Sequence, residues 1–462
     1  MGLQALVIMG LKDKPSMKIN RYLVHIGLLI FLVVGFYLIA FKIIREDTLP
    51  LLITYSALFL GLWFWIRNYS SIWGVFVLGF VLRFLFWNHL PTLSQDFYRF
   101  LWDGAVQLLG INPYRHTPNF LIEHVGFPNA QLFYEKMGSL SNGHFSNYPA
   151  LSQYFYRFTA LFNESELLST VQVLRSIHLG GEITLFFAAK RLLEYFKLPE
   201  EYLSWYFLNP LVIVEGIGNL HGESLMLAFT LLAFLYCLKR KPVFGGFFMA
   251  LAIGTKLLPL LIVPFFFKYL RLRNFALFTL TVFFFSVALW LPFGNLEVIE
   301  NYTKTIELWF TTFEFNGSIY KIVRAIGYEV KGYNIIRSLG KVTPFITLGL
   351  LVLFTFVPRN RTPKQLASSI LLFLSVYFFT STTVHPWYII NLLFLGILSG
   401  YGYPLVWSLT VFWSYHVYGQ NTVEEQLVWP LSEYLLVYGF FFYELIKGPL
   451  GNHFQKPNFF ST

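Results

Sequence analysis

Two carboxylates, Asp96 and Asp103, lie just beyond a hydrophobic segment that ends near Trp87. Acids at the edge of a membrane are costly to keep in an apolar chain, so their presence points to a function. A base that deprotonates a hydroxyl of a lipid-anchored substrate must lie at the aqueous end of a lipid-accessible cavity. Asp96 occupies that place in the chain, and we therefore predict it as a general base.

Asp103 follows Asp96 by seven residues, which on a helix is two turns and roughly 10 Å on the same side. Arg99 lies between them and can pair with either acid, since side chains three or four residues apart are neighbours on a helix. The alternative to chemistry is a solvated helix face with ion pairs. In that arrangement Asp103 supports the helix through Arg99 instead of reacting.

Metal ligation is not predicted for this pair of acids. The chain has no adjacent D-x-D motif and no histidine-rich ligand set of the kind that binds zinc or calcium. A divalent cation is compatible with the sequence but not indicated, and no other cofactor is assigned.

Two histidines fall in short connections between apolar runs. His221 lies in EGIGNLHGES with Glu223 beside it, and His385 lies in TTVHPWYII directly before Pro386. A histidine at the mouth of a helical bundle can bind a phosphate or carry a proton. The alternatives are a turn histidine among glycines at His221 and a simple helix-entry residue at His385.

One lysine, Lys256, lies inside the apolar string GTKLLPLLIVP. A lysine in such surroundings is expensive, so it needs a partner. The partner is either a phosphate or diphosphate, or an internal acid such as Glu182 or Glu215. We predict Lys256 as a phosphate ligand, and place it at the tip of a broken hairpin.

The composition says what kind of elements hold these residues. The chain has 462 residues, of which 56% are hydrophobic and only 13% charged, against about 25% charged in soluble domains. Its net charge of +10 comes from short basic clusters between apolar runs. That pattern orients membrane proteins, so nucleic acid is excluded as a partner and the lipid bilayer is predicted.

The apolar runs predict an all-α polytopic membrane protein with about 12–13 transmembrane helices. Segment 243–268 is interrupted by glycine and proline and is basic at both ends. We therefore predict that it is a broken re-entrant hairpin that returns to its own side. The predicted spans are 22–41, 49–66, 72–87, 169–189, 202–219, 223–238, 275–293, 343–357, 366–384, 388–400, 403–418 and 431–446.

This topology gives a cytoplasmic tail over 1–21, a single transmembrane domain over 22–446 and a second cytoplasmic tail over 447–462, with Met17 as an alternative start. The domain has two long external loops, 88–168 and 294–342, and short external connections near His221, His385 and Glu424. Apolar residues at helical spacing predict amphipathic surface helices over 94–109, 298–313 and 318–327.

Five strings in this order resemble a known family: SQDFYRFLWDGAVQLLGINPYRHTP, NYPALSQ, NPLVIVEGIGNLHGES, GTKLLPLLIVP and TVHPWYII. Together they resemble bacterial integral-membrane glycosyltransferases of the GT-C type. The resemblance is greatest to the mannosyltransferase-like group that uses polyprenyl-phosphate sugars. It covers roughly residues 70–400, and its most specific part is the first string.

The resemblance implies an inverting transfer of a hexose, mannose first, from a polyprenyl-phosphate donor to a hydroxyl of a glycan or glycolipid. The reaction would occur on the periplasmic face of a bacterial inner membrane, with Asp96 as base. Related enzymes carry two acids one residue apart in this loop, a pattern absent at 96–98, which leaves a metal role unsupported. The predicted ligands of the donor phosphate are Arg99, Arg115, His221, Lys256 and His385.

Two other classes of protein compete with this interpretation. A transporter or flippase of a lipid-linked sugar predicts inverted repeats and substrate charges near the middle of the membrane. No such repeat is visible in the sequence, and long amphipathic external loops suit an enzyme better. An assembly or scaffold protein would not require an acid at the membrane edge.

Overall fold

The computed structural model describes residues 21–68, 71–163, 166–357, 360–419 and 426–449. Within these ranges the regular structure is helical, and the only β-type pairing is two isolated bridges from Thr383 to Phe315 and Asn316. The predicted all-α fold is confirmed. The two predicted tails fall almost entirely outside the described residues, and so does the predicted connection at Glu424.

The described chain forms twenty α-helices, joined by short 3-10 and π segments. They are α1 Arg21–Phe41, α2 Thr48–Asn68, α3 Ile72–Phe84, α4 Asp96–Leu108, α5 Pro118–Leu121, α6 Ala130–Lys136, α7 Ser139–Asn142, α8 Ala150–Ala160, α9 Leu167–Phe196, α10 Ser204–Phe207, α11 Glu223–Leu238, α12 Pro242–Thr255, α13 Phe266–Trp290, α14 Leu296–Thr311, α15 Ile319–Lys331, α16 Ile336–Phe356, α17 Pro363–Thr380, α18 Ile389–Ser399, α19 Tyr403–Thr410 and α20 Val428–Lys447.

Four helical stretches of the described chain are long and apolar enough to cross a membrane alone: Leu23–Phe41, Thr48–Arg67, Leu258–Trp290 and Ile336–Phe356. A fifth candidate is the pair Val212–Gly218 and Glu223–Leu238, which is bent by 107°. The chain is therefore a polytopic membrane protein. The predicted count of 12–13 is higher than the number of these full-length candidates because several predicted spans, such as those at α3 and α18, form apolar helices shorter than the roughly 20 residues of one crossing.

Segment 243–268 folds as the predicted hairpin. Helix α12 runs to its tip, and the 3-10 segment Leu258–Phe265 with the start of α13 runs back. Arg240 and Tyr269 mark the two ends of the hairpin, which meet: the Arg240 guanidinium lies over the Tyr269 ring at 4.4 Å and donates to its carbonyl oxygen. At Arg271 the backbone leaves helical geometry (φ 63°, ψ 164°), which allows the rest of α13 to turn away. Lys256 lies at the tip.

The two long loops, 88–168 and 294–342, pack against each other on one side of the bundle, and we call them the loop layer. Asn301 Nδ2 donates to the Tyr114 carbonyl at 3.1 Å, and the Tyr302 hydroxyl donates to the Asn147 carbonyl at 3.1 Å. The three predicted amphipathic helices are present as α4, α14 and α15. A Cβ at Gly104 would lie 2.1 Å from the Tyr156 carbonyl oxygen, so only glycine allows α4 to approach α8 this closely.

Candidate active site

Asp96 is the first residue of α4, and its side chain remains 39% exposed at the bottom of the loop layer. The surrounding protein keeps water from this carboxyl, and this desolvation raises its pKa to about 6; the negative charge of Glu223 adds to the rise. The positive charges of Lys256 and Arg45 oppose it. A carboxylate whose pKa is close to neutrality is an efficient general base.

His221 is brought to Asp96 by the break between the π segment Val212–Gly218 and α11. Leu220 adopts a left-handed conformation with φ 62°, and the His221 amide donates to the Glu215 carbonyl at 3.0 Å. The ring then lies between two acids, with Nδ1 4.0 Å from Asp96 Oδ2 and Nε2 3.6 Å from Glu215 Oε2. Both distances are longer than a hydrogen bond, so neither ring nitrogen is fixed by these acids.

The indole of Trp387 lies between the two predicted histidines. Its ring centroid is 3.5 Å from that of His221 and 4.3 Å from that of His385, with interplanar angles of 18° and 7°. Two parallel rings this close to one indole cannot share a face without overlapping, so the histidines stack on opposite faces. Trp387 was not among the residues predicted for the site. The structure instead places this indole in the site.

His385 is held by the other long loop. The amide of Val384 donates to the Phe315 carbonyl at 2.8 Å, and the Phe315 ring stacks on His385 at 4.8 Å. Burial lowers the pKa of His385 to about 3, and the positive charge of Lys256 adds to this. At neutral pH His385 is therefore a neutral ring that can donate or accept one hydrogen bond, and not a cation.

Lys256 pairs with Glu223, which is the first residue of α11 and is 1% exposed. The two acids predicted as its internal partners were the wrong ones. Glu182 pairs with Arg83 at 3.1 Å in a fully buried salt bridge. Glu215 accepts hydrogen bonds from Asn219 Nδ2 and from the Tyr415 hydroxyl. The Lys256 side chain itself is 24% exposed, and its positive charge acts on the Asp96 carboxyl. We call the region around Asp96, His221 and Lys256 the Asp96 recess.

Asp103 and Arg99 belong to a separate, closed network. Arg99 Nε donates to Asp103 Oδ1 at 2.7 Å, while Asp103 Oδ2 accepts from Ser146 Oγ at 2.5 Å and from Gln153 Nε2 at 2.9 Å. Arg99 Nη1 also donates to the His144 carbonyl at 3.0 Å. Both charged side chains are buried, at 4% and 1% exposed. Arg99 therefore pairs with Asp103 and is not directed at Asp96.

Arg115 also lies apart from the Asp96 recess. Its guanidinium pairs with Glu297 at 3.3 Å, and the two side chains are 45% and 55% exposed. This pair joins the first long loop to the start of α14. Of the five residues predicted to bind a phosphate, the structure gathers His221, Lys256 and His385 around Asp96, and it leaves Arg99 and Arg115 in other contacts.

Arg45 is the cation that sequence reasoning missed. It lies in the short connection between α1 and α2, where Nη2 donates to Gln95 Oε1 at 3.3 Å and the guanidinium lies 4.8 Å from the Tyr418 ring centroid. Gln95 directly precedes Asp96, and the positive charge of Arg45 lowers the pKa of Asp96, so Arg45 lies beside the site. In the sequence a basic residue between two apolar runs is indistinguishable from a topology signal.

No group of three histidine, cysteine or acidic side chains in the described ranges is placed to hold a metal ion. The acids nearest to Asp96 are committed elsewhere: Glu223 to Lys256, and Glu215 to Asn219 and Tyr415 at 2.9 and 2.7 Å. The group available for chemistry is thus the partly exposed Asp96 carboxylate, with Lys256 and Arg45 as nearby cations and the stacked rings of His221 and Trp387 beside it.

Fold and site together define a polytopic membrane protein with a carboxylate-centred polar recess under a layer of amphipathic loops. Residues 31–271, slightly more than half of the chain, match the sequence profile described as alpha-(1->6)-mannopyranosyltransferase, N-terminal domain. The chain belongs to this family. Residues 157–386 also match the profile of glycosyltransferase family 87. The predicted resemblance to mannosyltransferase-like proteins of the GT-C type is thereby confirmed.

One characterised relative is alpha-(1->6)-mannopyranosyltransferase A of Mycobacterium tuberculosis, which is 25% identical over 177 residues. The matched segment is 38% of this chain and 33% of the relative. The match thus spans about a third of the length of that protein.

Proposed function

We propose that the protein transfers a hexose, most specifically mannose, from a polyprenyl-phosphate donor to a hydroxyl of a glycan or glycolipid. The proposed reaction inverts the anomeric carbon and takes place on the non-cytoplasmic face of the bacterial inner membrane. The observation that carries the proposal is Asp96: an accessible carboxylate with a raised pKa, opposite Lys256 and Arg45. Family membership supports the sugar and the class of reaction.

In the proposed mechanism Asp96, in its ionised form, accepts the proton of the acceptor hydroxyl. The hydroxyl oxygen bonds to the anomeric carbon on the face opposite the phosphate, and the bond from that carbon to the phosphate oxygen breaks with its electron pair. The phosphate is a good leaving group, so the protein needs only to align the acceptor, take its proton and stabilise the departing charge.

Lys256 is the best-placed ligand for that departing charge. Its ammonium has three N–H donors, and Glu223 accepts one of them, which leaves donors for a phosphate oxygen. Cations directed at developing charge in a site with little water contribute strongly to catalysis. Neutral His221 and His385, on the two faces of Trp387, supply further hydrogen-bonding groups beside the same recess.

A transporter of a lipid-linked sugar remains the competing proposal. It would require substrate-binding charges near mid-membrane, at a site open to each side in turn. Asp96 is instead the first residue of a loop-layer helix, and its side chain is 39% exposed. This position suits a reaction at the membrane edge and supports the transferase.

The test uses membranes that contain the full chain, incubated with radiolabelled polyprenyl-phosphate mannose, glucose and arabinose in parallel. We expect transfer from the mannose donor, and its loss in Asp96→Asn at unchanged protein level. Glu123→Gln, which alters an exposed acid of the same loop, is the matched control and should transfer normally. Transfer by Asp96→Asn would remove Asp96 as the base, and absence of transfer from all three donors would reject the donor class.

A further inference from the structure

An open cavity of about 350 Å³, bordered by charged residues, lies between α14 and α16. Lys304, Glu307 and Thr311 line it from α14, and Arg337 and Lys341 line it from α16. Its volume is in the range of small-ligand sites in proteins. None of these residues contributes to the Asp96 recess, and the proposed transfer reaction does not use them.

Close contact of the two helices fixes the shape of the cavity. A Cβ at Gly340 would lie 2.4 Å from the Phe310 carbonyl oxygen, so the helices touch at this glycine. Arg337 and Lys341 are four residues apart and therefore occupy one face of α16, on either side of the contact point. The backbone positions of Arg337 and Lys341 are therefore fixed by the packing of two helices.

The charges around the cavity favour an anion. Lys304 pairs with Glu300 at 2.7 Å on its own helix, and Glu307 adds one further negative charge to the lining. Within the described chain, neither Arg337 nor Lys341 forms an ion pair. Three cations thus face one acid in the lining, and the two cations of α16 have charge available for a ligand.

The cavity lies at the start of a candidate membrane span, which points to a membrane lipid as its ligand. Helix α16 is a candidate span, and Val342, Phe345 and Ile346 expose 51%, 76% and 47% of their surface within about one turn of Lys341. On α14, Leu296 and Ile299 are 86% and 62% exposed. Basic side chains at the end of an outward-facing apolar helix surface lie where lipid phosphates lie.

We propose that this cavity binds the phosphate of an anionic membrane lipid, with Arg337 and Lys341 as its ligands and the lipid tails along the exposed surface of α16. Because α14 contacts the first long loop through Asn301 and Tyr302, the lipid belongs to the leaflet on the Asp96 side. The site binds a lipid beside the transferase recess and does not depend on what that recess does.

The test is native mass spectrometry of the full chain, released from micelles supplied with phosphatidylglycerol, phosphatidylcholine or inorganic phosphate. We expect preferential retention of phosphatidylglycerol, and a loss of roughly 25-fold in its affinity in the double variant Arg337→Gln/Lys341→Gln, since each basic residue near a lipid surface contributes about fivefold. The control is Arg361→Gln/Lys364→Gln, which removes the same charges at the start of α17 and should retain the lipid.

Equal retention of phosphatidylglycerol by the two double variants would overturn the site. Equal binding of phosphatidylcholine and phosphatidylglycerol would overturn the preference for an anionic lipid. Binding of inorganic phosphate as tight as that of the lipid would identify a free-phosphate site instead. Circular dichroism of both variants confirms that lost binding is not lost folding.

Discussion

Asp96 and Asp103 are the same residue type on the same helix, two turns apart, and their surroundings are opposite. Asp103 is 1% exposed, and each of its oxygens accepts at least one hydrogen bond from a buried donor. Asp96 is 39% exposed, and the nearest histidine nitrogen stands 4.0 Å away. A carboxylate with satisfied oxygens is stable and unreactive, whereas one left open beside cations can accept a proton from a substrate.

The difference follows from what each turn of α4 contacts. The second half of the helix packs on α8, where Gly104 permits close approach and Gln153 reaches Asp103. The first turn faces the break before α11 and the tip of the hairpin, which supply His221 and Lys256. One helix thus anchors the loop layer at one end and presents the reactive group at the other.

Replacing each acid by its amide separates the two roles. Asp96→Asn is expected to lower transfer by about 10²–10⁴-fold, the contribution of a general base, without destabilising the fold. Asp103→Asn leaves the Arg99 charge buried without its partner, which is expected to cost about 3–5 kcal/mol of stability. Transfer kinetics measure the loss of activity in each variant, and thermal unfolding in the same detergent measures the loss of stability.

The comparison fails if Asp103→Asn lowers the turnover of the correctly folded fraction as much as Asp96→Asn does. Asp103 would then act in the reaction and not in the support of α4. A folded fraction measured by size exclusion keeps the two effects apart.

The next effect concerns Lys256, which either binds the donor phosphate or only neutralises Glu223. If it binds the donor, Lys256→Gln should lower kcat/KM by roughly 10²-fold, the usual cost of one donor directed at developing charge. Glu223→Gln frees the lysine and should change kcat/KM far less. Equal losses in the two single variants, with no further loss in the double variant, would show that the ion pair is only structural.

Much of this site follows from the sequence, because the signals are local. Hydropathy and the string around Asp96 place a carboxylate at a membrane edge, and basic clusters at both ends of 243–268 predict a hairpin with Lys256 at its tip. The two histidines in short connections between apolar runs add His221 and His385. Each of these inferences needs only the order of residues along the chain.

The rest depends on contacts between distant segments, which one sequence does not encode visibly. Arg45 acts on Asp96 from the α1–α2 connection, and nothing in the local sequence links the two residues. Glu223, Glu182 and Glu215 are all acids in apolar surroundings, so the sequence offers no reason to choose Glu223 for Lys256. The lengths of the helices also escape the sequence: apolar runs predict where spans lie, but the breaks that leave several apolar helices of the described chain shorter than 18 residues depend on packing.

Arg45 is expected to act on the pH dependence of the reaction. Asp96 must be ionised to accept a proton, so activity should rise with pH through a pKa of about 6. The positive charge of Arg45 lowers that pKa, and Arg45→Gln should therefore shift the rising limb of kcat/KM to higher pH. Lys331→Gln, an exposed cation at the end of α15, is the control. An unchanged limb in Arg45→Gln would place the guanidinium outside the electrostatic reach of Asp96.

The smallest expected effect is the contribution of Asp96 to the pH dependence of stability. Its sign is opposite to that of most carboxylates, because the pKa of Asp96 is raised in the folded protein and not lowered. The pKa of Asp96 is about 6 in the folded protein against an ordinary value of 3.8, so between these two values the folded state binds more protons than the unfolded state. Stability contributed by this group is therefore present below pH 4 and is lost as the pH rises through 6. Asp96→Asn has no such loss, and its melting temperature relative to the unsubstituted protein should increase between pH 4 and pH 7. A difference that stays constant over this range would mean that Asp96 is solvated like an ordinary surface acid, and the contrast with Asp103 would then lose its electrostatic basis.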